Sequence, residues 1–413
     1  MFFYIIRVYK GIIMLKDKNI VLGITGGIAA YKAATLTREF VKRGAVVKVI
    51  MTPNATRFIT PLTLQTLSGN PVYTDMFSLS GDWDIHHISL AQAADIVVIA
   101  PATYNIIGKI ASGIADDLLS TTIAATKAPV LICPAMNSNM YDNPILRSNI
   151  DKLSALGYLF MDAGRGELAC KADGAGRLPD PADIVEEMET VLTKKDLKGH
   201  RVLVTAGPTR EPFDPVRYIS NHSSGKMGYA LAFMARRRGA DVTLISGPVS
   251  LPVPAGVRFV GVSSASEMRD AVMEHIEEAT VIIKAAAVAD YRPSSPSDSK
   301  IKKGAGQMDI RLEKTPDIIS EVSKKKGDRI LVGFAMETED LIKNARAKMK
   351  AKGMDLIVGN ELGLPGAGFQ HDTNIVKIID PSGNVEELPL MDKRDVADRI
   401  LDRVLEISGT GKG

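Results

Sequence analysis

Short apolar runs recur along this chain, each followed by a turn rich in Gly or Pro and then by a stretch with helical spacing. The first run covers residues 19–23, enters Thr25-Gly26-Gly27, and gives way to an amphipathic segment over 28–43. Further runs at 46–51, 96–100 and 130–133 repeat the signal. Continuous apolar runs of this length predict strands buried on both faces, and their alternation with helices predicts a mostly parallel sheet with helices on both sides. A charged helical segment over 180–192 is followed by the polar stretch 193–199, which offers few apolar anchors. A second cycle then begins. Its strand at 201–205 leads to Ala206-Gly207-Pro208-Thr209, then to a long loop ending in Ser223-Ser224-Gly225 and a helix over 227–238. Runs at 242–246, 281–285, 330–334 and 356–359 supply later strands, and Pro381-Ser382-Gly383-Asn384 between runs at 374–379 and 385–388 reads as a hairpin before a last helix over 393–407. The expected division is an N-terminal extension over 1–17, a first domain over 18–195 and a second over 196–413. No short-period repeat is visible, so a solenoid is not expected.

Composition narrows this picture. A chain of 413 residues is too long for one ordinary core, while 45% apolar and 24% charged residues are ordinary globular values. The net charge of +3 is spread over segments of mixed sign, so nucleic acid is not a favoured partner. Two cysteines, Cys133 and Cys170, point to a reducing, cytoplasmic setting without a disulfide framework. Residues 1–15 are apolar, yet Arg7 and Lys10 interrupt them and they fall short of the roughly 20 residues a membrane span needs. A start at Met14 is expected, and no membrane partner.

A Gly-rich turn between strand and helix lets backbone N–H groups approach a phosphate at the positive end of the helix. Both halves place such a turn directly after their first strand, where open α/β sheets bind ligands. Neither turn spells Gly-x-Gly-x-x-Gly, and no carboxylate follows the second strands, which end in Met51-Thr52-Pro53 and Ser246-Gly247-Pro248. A nicotinamide oxidoreductase is thereby disfavoured, and a Walker-type loop is absent.

Four segments of the first half stand out: Gly26-Gly27-Ile28-Ala29-Ala30-Tyr31-Lys32, His86-His87-Ile88-Ser89-Leu90, Pro134-Ala135-Met136-Asn137, and Gly166-Glu167-Leu168-Ala169-Cys170 running on to Gly174-Ala175-Gly176-Arg177. In this order they resemble the flavin-dependent cysteine decarboxylases, and among them the phosphopantothenoylcysteine decarboxylases. The resemblance implies a flavodoxin-like or Rossmann-like parallel-sheet flavoprotein domain holding FMN. It assigns FMN contacts to Gly26, Gly27, Ile28, Ala29, Thr52, Ala102, Thr103, Asn105 and Met136, with Ala111-Ser112-Gly113 and Asp116-Asp117-Leu118 shaping the pocket or a neighbouring subunit's. It makes His87 the catalytic base, Asn137 the anchor of the substrate carboxylate, and Cys170 the proton donor to the enethiolate. Taken alone, a histidine before a helix is more often a cap, and an asparagine after a buried strand a turn residue. Cys133 ends an apolar run and reads as core. The family usually has glycine after this cysteine; here Lys171 follows, and a nearby ammonium would lower the thiol pKa.

The second half carries Glu211-Pro212-Phe213-Asp214-Pro215-Val216-Arg217, then Ser220-Asn221-His222-Ser223-Ser224-Gly225-Lys226, then AAAVADYR over 285–292, and Lys300-Ile301-Lys302-Lys303. Together these resemble phosphopantothenate-cysteine ligases, implying a second Rossmann-like α/β domain. That family activates a carboxylate with CTP, with Mg²⁺, as an acyl-cytidylate that cysteine then displaces. The resemblance gives Asn221 a part in forming or holding the intermediate and Lys300 a part in its conversion. It places Lys284, Ala285, Ala286, Asp290, Lys300, Pro316, Asp317, Ile318, Ile319, Phe334, Lys348 and Lys352 at the nucleotide, with the Gly207 turn in the same site. The metal ligands stay open. A lysine run is usually a solvated face, which is the reading for Lys324 to Lys326. The Ser- and Pro-rich segment 293–299 makes Lys300 part of a flexible loop instead. The two activities would be consecutive, taking 4'-phosphopantothenate, cysteine and CTP, in a homo-oligomer that reaches a dodecamer if trimers of one half and dimers of the other combine. A flavoprotein scaffold that lost its chemistry is the non-enzymatic alternative; His87, Asn137 and Cys170 occurring together argue against it.

Overall fold

The computed structural model describes residues 15–77, 85–167, 173–302, 308–337, 341–361, 366 and 368–409. The chain forms two compact units, Ile13–Thr193 and one that runs from Lys194 onward.

The first unit is built on a parallel sheet of six strands: β1 (Asn19–Ile24), β2 (Val46–Met51), β3 (Val72–Tyr73), β4 (Ile96–Ala102), β5 (Val130–Pro134) and β6 (Leu159–Phe160). Their order is β3-β2-β1-β4-β5-β6. This is the Rossmann order and not that of flavodoxin, so the chain reverses its direction of winding between β1 and β4. All seven residues of β4 are buried, as expected of a central strand covered on both faces. The segment predicted as one helix over 28–43 divides into a 3₁₀ turn, Ile28–Tyr31, and an α-helix, Lys32–Lys42. Asp117 and Ser120 close a capping box on the helix Leu118–Ala125, an arrangement worth roughly 1 kcal/mol. Between Ala163 and the helix Pro181–Leu192 the chain makes an antiparallel pair, β7 (Gly164–Glu167) and β8 (Asp173–Arg177). Cys133 is fully buried on β5 within the core. Burial, with the charge of Glu187, pushes its thiol far above the ordinary range, so it is inert.

The second unit repeats the order on a larger sheet. Its strands are β9 (Arg201–Ala206), β10 (Arg210–Pro212), β11 (Tyr218–Ser220), β12 (Asp241–Ser246), β13 (Arg258–Gly261), β14 (Val281–Lys284), β15 (Tyr291–Pro293), β16 (Leu312–Lys314), β17 (Ile330–Glu337), β18 (Leu356–Glu361), β19 (Thr373–Ile379) and β20 (Val385–Asp392). Eight of them form the sheet β13-β12-β9-β14-β17-β18-β19-β20, with β19 and β20 antiparallel. The expected hairpin at 381–384 joins those last two strands, and β10–β11 and β15–β16 stand apart as small pairs. Arg238 ties the start of the unit to its last helix, Lys393–Ser408. Its guanidinium grips Asp196 through two bonds of 2.9 Å and reaches Asp398 at 2.9 Å and Asp402 at 2.8 Å. No helix among the described residues is long and apolar enough to cross a membrane.

Candidate functional site

In the first unit, the reversal between β1 and β4 is pinned by one hydroxyl. Thr25 Oγ1 donates to the Pro101 carbonyl at 2.7 Å and accepts the Thr103 N–H at 3.1 Å. This holds the turn after β1 against the loop after β4, and between them lies a cavity of about 1080 Å³. Ordinary ligand pockets span about 300–1000 Å³, so this one has room for a cofactor and a substrate together.

Eight of the nine residues expected at FMN line that cavity: Gly26, Gly27, Ile28, Ala29, Thr52, Thr103, Asn105 and Met136. Ala102 does not. It is fully buried in β4, and its carbonyl accepts the Ala135 N–H at 2.9 Å, so it positions the wall and is not part of it. The two glycines differ. A Cβ on Gly26 would lie 2.3 Å from Asn54 Cβ, whereas one on Gly27 would meet only Thr103 Cγ2 at 3.6 Å. Gly26 is required by the close approach of the loop after β2; Gly27 leaves space open. Gly27 heads the 3₁₀ turn with no side-chain cap, and the leading N–H groups of such a turn have no partner within it. Thr52 Oγ1 is buried without a hydrogen-bond partner. An orphaned hydroxyl and uncapped N–H groups beside open space fit a polar, phosphate-bearing ligand such as FMN.

Asn137 also lines the cavity, and its side-chain oxygen accepts the Asn139 N–H at 2.9 Å. Above it runs β8. The Gly176 carbonyl accepts the Met136 N–H at 2.9 Å, and a Cβ on Gly176, whose φ is 135°, would meet the Met136 oxygen at 2.2 Å. Gly176 and Arg177 thereby become part of the wall. Cys170 and Lys171 lie outside the described residues. His87 does not line the cavity: it is half-buried on the helix His86–Ala93, and the His86 ring lies 5.1 Å from that of Tyr73. Spacing gave no sign of Lys109, whose ammonium lies at the cavity 2.6 Å from Asp116 and 2.9 Å from Asp117. Burial raises the Asp117 carboxyl, but hydrogen bonds from Ser120 and Lys109 outweigh it and hold that group below its usual range.

In the second unit the turn after β9 is filled by its own chain. Gly207 has φ 72°, and a Cβ there would lie 3.0 Å from both the Gly247 oxygen and Val249 Cγ1. Gly225, φ 77°, heads the helix Lys226–Arg237, and a Cβ there would lie 2.9 Å from the same Val249 Cγ1. Backbone conformation and close packing account for glycine at 207 without a phosphate.

The expected nucleotide residues gather along the carboxyl ends of the central strands. Lys284 closes β14 opposite Thr205 on β9 and Gly333 on β17. Ala285 and Ala286 follow, bonded to the Thr205 carbonyl and hydroxyl at 3.2 Å each. Exposed Asn221 donates to the Ala287 carbonyl at 3.0 Å, and the backbone carbonyl of exposed Asp290 accepts the Thr315 N–H at 3.0 Å just before Pro316. Asp317 caps the helix Ile318–Lys325, with Ile318 buried and Ile319 half-buried. Lys352 pairs with Asp317 and Ser320, while Lys348 donates to the Phe334 carbonyl at 3.2 Å.

Lys300 is exposed, and its loop is rooted on a residue to which the motif alone gave no role. Buried Asp214 accepts the Ile301 N–H at 3.2 Å, and Arg217 donates to the Ile301 carbonyl at 2.9 Å. Bonds from Arg217 hold the Asp214 carboxyl far below the usual range. Among the described residues no group of three or more His, Cys, Asp or Glu could hold a metal ion.

Known proteins are similar to this chain over nearly its whole length. The Flavoprotein family model matches residues 13–193, and that of the DNA/pantothenate metabolism flavoprotein C-terminal domain matches 197–407. The coenzyme A biosynthesis bifunctional protein CoaBC of Bacillus subtilis (strain 168) is 50% identical over 399 residues, spanning 96% of this chain and 98% of that one. Its counterpart in Escherichia coli (strain K12) is 45% identical over 95% of this chain and 97% of its own. A cysteine/cysteine sulfinic acid decarboxylase from an unknown prokaryotic organism is 47% identical over 84% of this chain and 99% of its own. The solved C-terminal domain of a CoaBC protein covers 52% of this chain and 99% of that one, at 41% identity and a TM-score of 0.46. The chain belongs to the family of coenzyme A biosynthesis bifunctional proteins.

Proposed function

We propose that this chain catalyses two consecutive steps of coenzyme A assembly. The second unit joins 4'-phosphopantothenate to cysteine with CTP, through an acyl-cytidylate, and the first decarboxylates the phosphopantothenoylcysteine to 4'-phosphopantetheine. The observation that carries this reading is the cavity holding eight of the nine expected FMN residues beside Asn137, in a chain matched almost end to end by bifunctional relatives.

Bound there, FMN supplies the two-electron sink that a cysteine carboxylate lacks. The Gly26 to Ala29 turn, the Thr52 hydroxyl and Met136 would hold it, and Asn137 would fix the substrate carboxylate. His87 serves as the base and Cys170 returns the proton. Because His87 does not line the cavity of its own chain, the homo-oligomer is what would bring it to a neighbour's cavity. In the second unit Asn221 holds the acyl nucleotide, and Lys300 reaches the phosphates from a loop rooted on Asp214. Mg²⁺ would enter with those phosphates, since hard cations often keep several waters and substrate oxygens as ligands.

The test is to incubate the purified protein with phosphopantothenate, cysteine, Mg²⁺ and either CTP or ATP, following nucleoside monophosphate and carbon dioxide separately. CMP together with carbon dioxide is expected. Carbon dioxide from cysteine without any nucleotide would overturn the reading in favour of a free-cysteine decarboxylase.

A further inference from the structure

Part of the wall of the first unit's cavity is β8, and one side chain of that wall has no partner. Among the described residues, five charged groups line the cavity: Lys32, Lys109, Asp116, Asp117 and Arg177. Lys109 is committed to the two carboxylates, at 2.6 and 2.9 Å. Lys32 belongs to the helix that follows the Gly26 turn, and its ammonium lies 3.9 Å from Asp180. Arg177 is exposed at the cavity, and among the described residues no carboxylate, carbonyl or hydroxyl bonds its guanidinium.

The position of that side chain is nonetheless built. Arg177 on β8 pairs with Gly164 on β7, and Gly166 follows two positions along. A Cβ on Gly166, φ 134°, would lie 3.0 Å from Arg177 Nη1 and 3.7 Å from its Cδ, and one on Gly164 would lie 3.5 Å from its Cβ. The bare glycines thus leave a shelf along β7 on which the arginine lies. The other flank of β8 meets the segment that carries Asn137: the Gly176 carbonyl accepts the Met136 N–H, and a Cβ on Gly174 would lie 3.1 Å from Ser138 Cβ. Neighbouring strands run about 5 Å apart, so the guanidinium over β7 and Asn137 stand on opposite flanks of β8.

Phosphopantothenoylcysteine is divided in the same way, with a carboxylate at its reacting end and a phosphate at the other. Asn137 suits the carboxylate, and the uncapped N–H groups of the Gly26 turn suit the phosphate of FMN. The substrate's phosphate is then the anion left without a seat, and Arg177 the cation left without a partner. We propose that Arg177 binds the phosphate of the substrate and so determines specificity for phosphopantothenoylcysteine over its dephosphorylated form. The inference rests on the decarboxylase reading of the first unit. A guanidinium offers phosphate oxygens two parallel N–H donors, and no covalent bond changes there. Because the phosphate is remote from the reacting carbons, the contact is the same before and during the reaction. It therefore lowers KM and leaves kcat alone.

The test compares phosphopantothenoylcysteine with pantothenoylcysteine as substrates of the flavin-loaded, full-length protein, following carbon dioxide, with flavin absorbance reporting on the cofactor. The ratio of the two kcat/KM values is the preference for the phosphate. Arg177→Gln should lower that preference roughly 10- to 100-fold, through KM for the phosphorylated substrate. Arg177→Lys keeps the charge without the fork and should lower it about 3- to 5-fold. Calorimetric titration with 4'-phosphopantetheine and with pantetheine should show the same loss in binding alone. A wild type without preference, or an unaltered preference in Arg177→Gln, overturns the inference. Equal losses with both substrates overturn it too, making Arg177 part of the wall or of the carboxylate's seat, and loss of flavin would assign it to the phosphate of FMN instead. Should the glutamine variant fail to fold, Arg177→Lys decides, an unchanged preference overturning the inference. A wild type that decarboxylates neither substrate removes the decarboxylase reading itself.

Discussion

The turn after β1 and the turn after β9 occupy equivalent points of two sheets with the same order of their first six strands, yet their surroundings are opposite. At Gly27 an added methyl would meet one side-chain atom at ordinary contact distance; at Gly207 it would press on the Gly247 carbonyl and on Val249. The first unit keeps an open cavity of about 1080 Å³ at this place. The second closes the turn on itself and gathers its polar side chains further along the carboxyl edge, at Lys284, Asn221 and a loop rooted on Asp214. One topology thus offers two ways of using its reversal point. A resident cofactor calls for a standing cavity, whereas a nucleotide that is consumed must enter and leave, and exposed loops suit it.

Gly26→Val should separate the halves most sharply. The new side chain would drive the turn from Asn54, and the expected result is loss of at least 100-fold in flavin affinity, read as loss of flavin absorbance, with CMP formation retained. Arg238→Leu should do the reverse. It leaves Asp196, Asp398 and Asp402 without their shared cation, at a cost of about 3–5 kcal/mol, so the second unit should unfold earlier in a denaturant titration while the protein stays yellow.

The third prediction concerns pH. Lys284 titrates near 7 and Lys393 near 8 in the folded chain, against an ordinary 10.5. Burial is the main cause for both, with the charge of Lys226 adding to it at Lys393. Between those values the unfolded chain binds more protons than the folded one, so these groups make stability rise with pH from about 7 to 10.5 and withhold it below. Lys284→Met should flatten that rise by a few kcal/mol, measured as the unfolding midpoint against pH. The smallest effect sharpens the comparison of the turns themselves. Gly207→Ala, at positive φ and without space, should destabilise the second unit by about 1–2 kcal/mol, while Gly27→Ala should change the first unit's stability by less than about 0.5 kcal/mol.

The central strands were legible because parallel strands buried on both faces read as unbroken apolar runs, as in β1, β4, β9 and β14. The edge strands β3 and β6, at two residues each, are too short to leave a pattern. The pair β7–β8 leaves no strand pattern, since its glycines, two of them at φ near 135°, carry no alternation. In the cavity, residues contiguous with the glycine turn were legible, because one backbone segment supplies them. Lys109 was not, since its partners lie beyond the end of its helix. The motif containing Asp214 was visible, but its bond to Ile301 spans 87 positions, and no local pattern announces such a contact.

The account rests on the two units holding separate steps, and one experiment addresses that directly: CMP and carbon dioxide followed together in the wild type, Gly26→Val and Asn221→Asp. Asp in place of Asn221 would set a carboxylate against the Ala287 carbonyl. The wild type should release one carbon dioxide per CMP, and Gly26→Val should release CMP alone. Asn221→Asp should release little of either until phosphopantothenoylcysteine is supplied, whereupon carbon dioxide returns. Undiminished carbon dioxide from Gly26→Val, or none from Asn221→Asp given that intermediate, would contradict the account.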